Sequence, residues 1–294
     1  MTSPKTAFLF PGQGRIPKEL PPTTPLQEAL LSAALERELP IDELLHEQDA
    51  DRLARTENAQ PILLIDSLDR EQTLRDRGWK PDVVAGHSLG EYAALVSAGT
   101  LTATDSLRVV IERGRLMGTV EGGMTAIVKL DLRTVRELCD KVGEGVCIAN
   151  HNAPTQVVVS GHPAALEQLA AQVAEAGGRA IPLRVSGPFH SPSMRPAQAS
   201  LEPVLRALTF RDPLVPVVSG VTARPETDGE RLREVMCGQI TSPVHWVDVV
   251  ESLVASGATR AVEIGSGEVL TKLGRQITDA VRFMTYEEAL DETV

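Results

Sequence analysis

Asp82-Val-Val-Ala-Gly-His-Ser-Leu-Gly-Glu-Tyr-Ala-Ala-Leu-Val-Ser-Ala-Gly99 is the stretch on which the fold turns. Asp82 to Ala85 form a short strand of the buried type, and Leu89 to Ala98 read as a helix with Gly99 as its C′ residue. Between them, Gly86-His87-Ser88-Leu89-Gly90 matches G-x-S-x-G in the context that pattern requires, a strand before it and a helix after it. The chemistry behind the pattern is a sharp turn. Flanking glycines let neighbouring backbone come close, and the serine hydroxyl is pushed out above a sheet. At a helix start, Ser88 also sits where developing negative charge is favoured. A glycine-rich turn with a capping serine is the blander account, and the correctly placed strand and helix tell against it.

Outward from this turn, the chain alternates strands and helices. Thr6-Ala-Phe-Leu-Phe10 reads as a strand ended by Pro11 and a Gly12-Gln13-Gly14 loop. Pro17 to Pro25 is irregular surface; Leu26 to Leu39 and Ile62 to Trp79 repeat apolar residues at helical spacing. Val215 to Ser219 and Arg260 to Ile264 are further strands. The stretch from Thr125 to Val185 has its own order. Strand Thr125–Leu130, helix Arg133–Val142, strands Val146–Asn150 and Gln156–Ser160 joined through Asn152-Ala-Pro-Thr155, helix Pro163–Ala176 and strand Ala180–Val185 make a βαββαβ unit. We therefore expect an α/β-hydrolase-like core with a parallel sheet (1–124 and 189–294) carrying an inserted ferredoxin-like subdomain (125–188).

Composition narrows the function. The chain has 294 residues, 42% hydrophobic and 3% aromatic, with 40 acidic against 29 basic residues and a net charge of −11. Such a chain has core enough to fold without staples. The acidic balance and scarce aromatics oppose nucleic-acid binding. Tyr92 to Thr104 is uncharged but too short to span a bilayer, and Ala7 to Phe10 is far shorter than a secretory signal. A cytoplasmic protein without membrane contact is expected. Cys139, Cys147 and Cys237 form no CxxC pair, which argues against a disulfide framework or a zinc site.

A serine nucleophile needs a base. If the base follows the nucleophile in sequence, the candidates are His151, His162, His190 and His245. His190 follows the return of the chain from the inserted unit, and spacing alone favours it only modestly.

Phe10-Pro-Gly-Gln-Gly14, Gly86-His-Ser-Leu-Gly-Glu91, Arg113-Gly-Arg-Leu-Met117, Asn150-His-Asn-Ala-Pro154 and Gly187-Pro-Phe-His-Ser191 together resemble the malonyl-CoA:acyl carrier protein transacylases. That family includes the acyltransferase domains of fatty acid and polyketide synthases. Gln239-Ile-Thr-Ser-Pro243 and Glu263-Ile-Gly-Ser-Gly267 extend the likeness, in family order. The resemblance implies Ser88 as acylated nucleophile, His190 as base and later acid, and the N–H groups of Gln13 and Leu89 as oxyanion hole. It implies that Arg113 holds the malonyl carboxylate as a two-pronged fork, that Gln239 orients His190, and that Asn152 lines the cleft. Malonyl-CoA and an acyl carrier protein are the implied partners, with the CoA thioester as substrate and no further cofactor. Gly187-Pro-Phe-His190 ends as malonyl-selecting members do. Two departures bear on the cleft entrance: Arg15-Ile16-Pro17 stands where Ser-Gln is usual, and the stretch before Ser88 is short and proline-rich.

Taken without the resemblance, Arg113 and Gln239 would be ordinary surface residues and Gln13 a loop residue; Arg108 and Arg115 read as solvated charges. The same Ser-His pair also serves an acyl hydrolase or thioesterase, or a transferase of another acyl group, and a non-catalytic docking subunit is the reading from another class. An acidic carrier calls for a local basic surface, for which Arg184, Arg195, Lys272 and Arg275 are candidates.

Overall fold

The computed structural model describes residues 4–20, 24–46, 49–185 and 187–292. Part of the proline-rich segment (21–23) and Ser186 lie outside them.

Two sheets organise the chain. Strands β1 (Lys5–Phe10), β2 (Val83–Gly86), β7 (Val217–Val218), β8 (Pro225–Glu226), β9 (Ala258–Glu263) and β10 (Arg282–Met284) form a six-stranded sheet in the order β10-β9-β1-β2-β7-β8. Every pairing in it is parallel except the last, β7 with β8. β1 lies at its middle, and Ala7 to Phe10 are fully buried. Because side chains alternate along a strand, Phe8 and Phe10 enter one core while Ala7 and Leu9 enter another on the opposite face. A continuous apolar run is what a strand covered on both faces needs.

The first face is covered by α1 (Pro25–Leu35), α2 (Ile41–His46), α4 (Thr56–Asp76), α5 (Gly90–Ser97), α6 (Ala103–Met117), α9 (Arg195–Arg206), α10 (Gly229–Gly238) and the closing α13 (Tyr286–Leu290), with the one-turn α3 (Ala50–Ala54) leading into α4. The second face is covered by α11 (Trp246–Ala255) and α12 (Val269–Ile277). Helix α4 starts earlier than periodicity suggests because its interior Pro61 reads as a break. Proline costs a helical hydrogen bond there. Burial overrides that cost, since the helix is covered along most of its length. At one point Gly114 of α6 lies so close that a Cβ would stand 2.9 Å from the Thr56 carbonyl oxygen.

The second sheet is antiparallel, in the order β4-β5-β3-β6, built from β3 (Gly123–Val128), β4 (Val146–Ala153), β5 (Gln156–Gly161) and β6 (Arg179–Pro182). Helices α7 (Leu132–Val142) and α8 (Pro163–Glu175) cover one face, where Ile127, Val157 and Val159 meet Val135, Leu138, Leu169 and Val173. The other face, with Met124, Ala126 and Val158, turns toward the larger body. Backbone bonds fasten the two parts: His151 N–H donates to the Val244 carbonyl at 2.9 Å, and Val244 N–H to the Ala149 carbonyl at 2.8 Å.

Two boundaries differ from the sequence reading in ways that matter for the site. β4 continues to Ala153, so Asn152 is a strand residue rather than part of the connection, which is only Pro154-Thr155. Irregular register between Ile148 and Asn150 and again before Ala153 bends this strand. β6 stops at Pro182, and Leu183 and Val185 leave the sheet to line a cavity. Among the described residues, no helix is long and apolar enough to cross a membrane.

Candidate active site

The turn between β2 and α5 is as tight as its glycines imply. A Cβ on Gly86 would collide with the backbone of Gly90 and Glu91, and one on Gly90 with the Phe10 carbonyl. Ser88 takes a φ of +53°, a left-handed conformation that costs a non-glycine residue about 1–2 kcal/mol. The neighbouring strand and helix hold it there, with the N–H of Gly90 and of Glu91 donating to the carbonyls of His87 and Ser88. The Ser88 hydroxyl consequently projects into a cavity of about 240 Å³.

His190 reaches the same hydroxyl from a distant part of the chain. Its Nε2 lies 2.7 Å from Ser88 Oγ. On the other side of the ring, Nδ1 donates to the main-chain carbonyls of Ser242 at 3.0 Å and Gln239 at 3.2 Å. Two carbonyl acceptors fix the tautomer that carries its proton on Nδ1, leaving Nε2 free to accept the serine proton. His190 also has a left-handed φ, +57°, and its N–H donates to the Ile240 carbonyl at 3.0 Å. Burial, with the Arg113 guanidinium and His87 nearby, pushes its pKa down to about 3. The imidazole is thus neutral near pH 7.

Arg113 completes the group from α6. It is 1% exposed, so the guanidinium is a buried cation. Nη1 donates to Gln60 Oε1 at 2.6 Å, and Nη2 donates to Ser88 Oγ and to Gln239 Oε1, both at 3.2 Å. The guanidinium carbon also lies 5.6 Å from the centre of the Tyr92 ring.

The remaining predicted residues fall around this centre. Gln13, Leu89 and Asn152 line the cavity; Leu89 precedes the first turn of α5, where N–H groups lack helical partners. The Gln13 side chain spans to the start of α4: its Nε2 donates to the Ala54 carbonyl at 3.1 Å, and its Oε1 accepts from Thr56 Oγ1 at 3.0 Å. Asn152 Oδ1 lies 2.9 Å from His87 Nε2. Gln239 does meet His190, but through its carbonyl. Its side-chain Nε2 instead donates to Ser88 O at 2.9 Å and to Glu91 Oε2 at 2.8 Å.

The other histidines lie elsewhere: His151 and His245 line a separate hollow beside α7, and His162 precedes α8. Arg108 and Arg115 are outward-facing and paired with Asp105 and Glu112. Of the four docking candidates all are exposed, but Lys272 and Arg275 are already engaged by Glu268 and Glu288.

Three residues of the site escape sequence reasoning: Gln60, His87 and Glu91. The available signal is a polar side chain inside an apolar run. Gln60 stands in Ala59-Gln-Pro-Ile-Leu-Leu-Ile65, and Glu91 opens the uncharged stretch that follows it. Among the described residues, no group of three His, Cys, Asp or Glu is placed to hold a metal ion.

Set beside known proteins, the chain matches the acyl transferase domain profile over residues 30–289. It belongs to the acyl transferase family. It is 42% identical over 287 residues to the malonyl CoA-acyl carrier protein transacylase of Bacillus subtilis, covering 93% of this chain and 90% of that one. With the transacylase of the same name from Escherichia coli K12 it shares 38% over 292 residues, covering 94% and 93%. Among solved structures, FabD from Acinetobacter baumannii superposes with a TM-score of 0.90 at 32% identity, covering 99% of this chain and 97% of that one. A malonyl-transacylase in complex with a type II PKS acyl-carrier protein superposes at 0.87 and 33% identity, covering 96% and 94%.

Proposed function

We propose that this protein is an acyltransferase that moves a malonyl group from malonyl-CoA to the phosphopantetheine thiol of an acyl carrier protein. The observation that carries this reading is the convergence on one hydroxyl: Ser88 Oγ is within hydrogen-bond reach of both His190 Nε2 and Arg113 Nη2. A base and a carboxylate receptor beside one nucleophile suit an acyl group that ends in a carboxylate.

The chemistry follows in two halves. Ser88 Oγ attacks the thioester carbonyl while His190 Nε2 takes its proton. The N–H groups of Leu89 and Gln13 receive the oxyanion, and as the tetrahedral intermediate collapses the C–S bond breaks. His190 returns the proton to the CoA sulfur. The carrier thiol then attacks the malonyl-serine ester, His190 takes the thiol proton, and the C–O bond breaks to return Ser88 its hydrogen. Arg113 pairs with the malonyl carboxylate throughout, and Gln239 supports His190 with its carbonyl. Asn152, tied to His87, closes the cleft from the small sheet.

In this reading the six-stranded sheet with its helices is an α/β-hydrolase-like core, residues 1–124 and 189–294, and the βαββαβ unit of 125–188 is a ferredoxin-like lobe roofing the cleft. The CoA thioester is substrate and no further cofactor takes part. Leu183 and Val185 line the cavity on either side of exposed Arg184, which makes it the best placed of the four proposed carrier-docking residues. Three unpaired thiols suit a reducing, cytoplasmic setting.

Intact-mass measurement after mixing the protein with malonyl-CoA tests this. A malonyl adduct is expected, absent in Ser88→Ala and discharged by holo-carrier protein. Turnover of malonyl-CoA to free malonate without carrier would instead make the protein a hydrolase.

A further inference from the structure

Glu91 plays no part in the steps above, yet it is one of the most deeply buried charges in the molecule, 1% exposed on the first turn of α5. Each of its carboxylate oxygens accepts a hydrogen bond. Oε2 accepts from Gln239 Nε2 at 2.8 Å and Oε1 from the Gly220 N–H at 3.2 Å.

The consequence lies in the amide of Gln239, which is itself wholly buried. A primary amide can present either end to a neighbour, and only its partners decide which. Here two acceptors, the Glu91 carboxylate and the Ser88 carbonyl, share the Nε2 end at 2.8 and 2.9 Å. Turning the amide over would set its oxygen against both. Oε1 therefore has to face the other way, and Arg113 Nη2 lies there at 3.2 Å. The polarity of one side chain passes from a carboxylate to a guanidinium.

Charge follows the same line. Arg113 is a buried cation, and among the described residues no carboxylate forms a direct ion pair with it. A buried charge needs compensation. A carboxylate bonded directly to the guanidinium would supply it, but would also occupy the donors that a substrate carboxylate needs. Glu91 stands one hydrogen-bonded residue away, too far to compete for the fork; burial pushes its carboxyl above the usual carboxylate range, and its hydrogen bonds and the Arg113 guanidinium oppose that rise.

We propose that Glu91 is a positioning residue for acyl-group selection: through the Gln239 amide it holds the Arg113 guanidinium over Ser88 and balances its charge without filling its binding prongs. This rests on the reading of Arg113 as partner of the malonyl carboxylate.

The test is a double-mutant cycle on the full-length enzyme, with carrier protein as acceptor and malonyl-CoA or acetyl-CoA as donor. Glu91→Gln keeps the shape and removes the charge. Its malonyl kcat/KM is expected to fall by about 10-fold or more while acetyl transfer falls much less, because coupled neighbours lose such factors together. In an Arg113→Ala background the same substitution is expected to have no further effect on malonyl-over-acetyl preference. Equal loss for both acyl groups, or full loss of preference added on top of Arg113→Ala, would overturn the proposal. If Glu91→Gln does not fold, Glu91→Asp is compared instead, with the charge kept but set back by one methylene. It too must lose malonyl transfer selectively, and an unselective loss counts against the idea. Arg113→Ala alone separates the two levels. If it lowers both donors alike, the reading of Arg113 fails; if it is selective and Glu91→Gln is not, only the role of Glu91 fails.

Discussion

The two sides of Ser88 are built by different means. On the base side, His190 is held by main-chain carbonyls, those of Ser242 and Gln239, and by its own N–H to Ile240. On the acyl side, Arg113 is held by side chains, Gln60 and Gln239, with a carboxylate behind one of them. Backbone supports are indifferent to which residue supplies them, so the proton-transfer half of the site tolerates sequence change around it. Side-chain supports can be altered one at a time, so the half that meets the acyl group is the half that can be retuned. In the proposed mechanism rate and selectivity thus rest on different supports that meet at Gln239, whose carbonyl faces His190 and whose amide faces Arg113.

The largest expected effect breaks the base side outright. His190→Asn removes the base while its asparagine tolerates the left-handed φ better than most residues, so backbone strain does not confuse the result. Transfer of malonyl and acetyl groups is expected to fall together, by about 10⁴-fold or more. Initial-rate assays with both donors check this, and a loss confined to malonyl would erase the distinction between the two sides.

On the acyl side, the proposed pairing means that Arg113→Ala leaves the substrate carboxylate unpaired, a loss on the order of 2–5 kcal/mol for a desolvated pair. Malonyl kcat/KM is expected to drop by roughly 30-fold to several thousand-fold and acetyl far less. The variant also reports on the base. The proposed base works as a neutral imidazole, and burial with the nearby charges pushes the His190 pKa down to about 3, so wild-type activity should stay flat as pH falls through 6.5. Arg113 is one cause of that depression. Its removal moves the acid limb upward, toward 6.5, in a pH profile of acetyl transfer. A limb that does not move would mean that burial and His87, without Arg113, set the His190 pKa.

How far this division is readable from sequence depends on distance along the chain. Ser88 is legible because everything that positions it is local: two glycines, a strand and a helix within eighteen residues of one another. His190 is not, since four histidines follow the serine and only tertiary packing brings one of them within 2.7 Å of it. Arg113 and Gln239 look like surface residues on a helix and in a turn, and only resemblance to a family marks them. The support from Gln239 lies in its carbonyl, which every residue carries, so no side-chain pattern could announce it. In the fold, the two- and three-residue strands β8 and β10 are too short for alternation to register, and Pro61 masks the first turn of α4.

The smallest effect sharpens the comparison most. Ser242 supports His190 at 3.0 Å with its carbonyl, while its hydroxyl only donates to the Gly238 carbonyl at 2.8 Å. The direction of that carbonyl is set by the backbone: Ser242 is extended (φ −105°, ψ 146°), and Pro243 behind it disfavours the helical alternative. Ser242→Ala therefore deletes a hydroxyl bond that has nothing to do with the imidazole. The expected cost is about 1 kcal/mol of stability, read by thermal melting. Transfer of either acyl group should stay within about twofold of wild type, with the acid limb of the pH profile unmoved, because the acceptor for the Nδ1 proton is still present. A tenfold loss of transfer in a folded Ser242→Ala protein would show that the hydroxyl, not the peptide, holds the base in place, and the contrast between a backbone-held base and a side-chain-held cation would no longer stand.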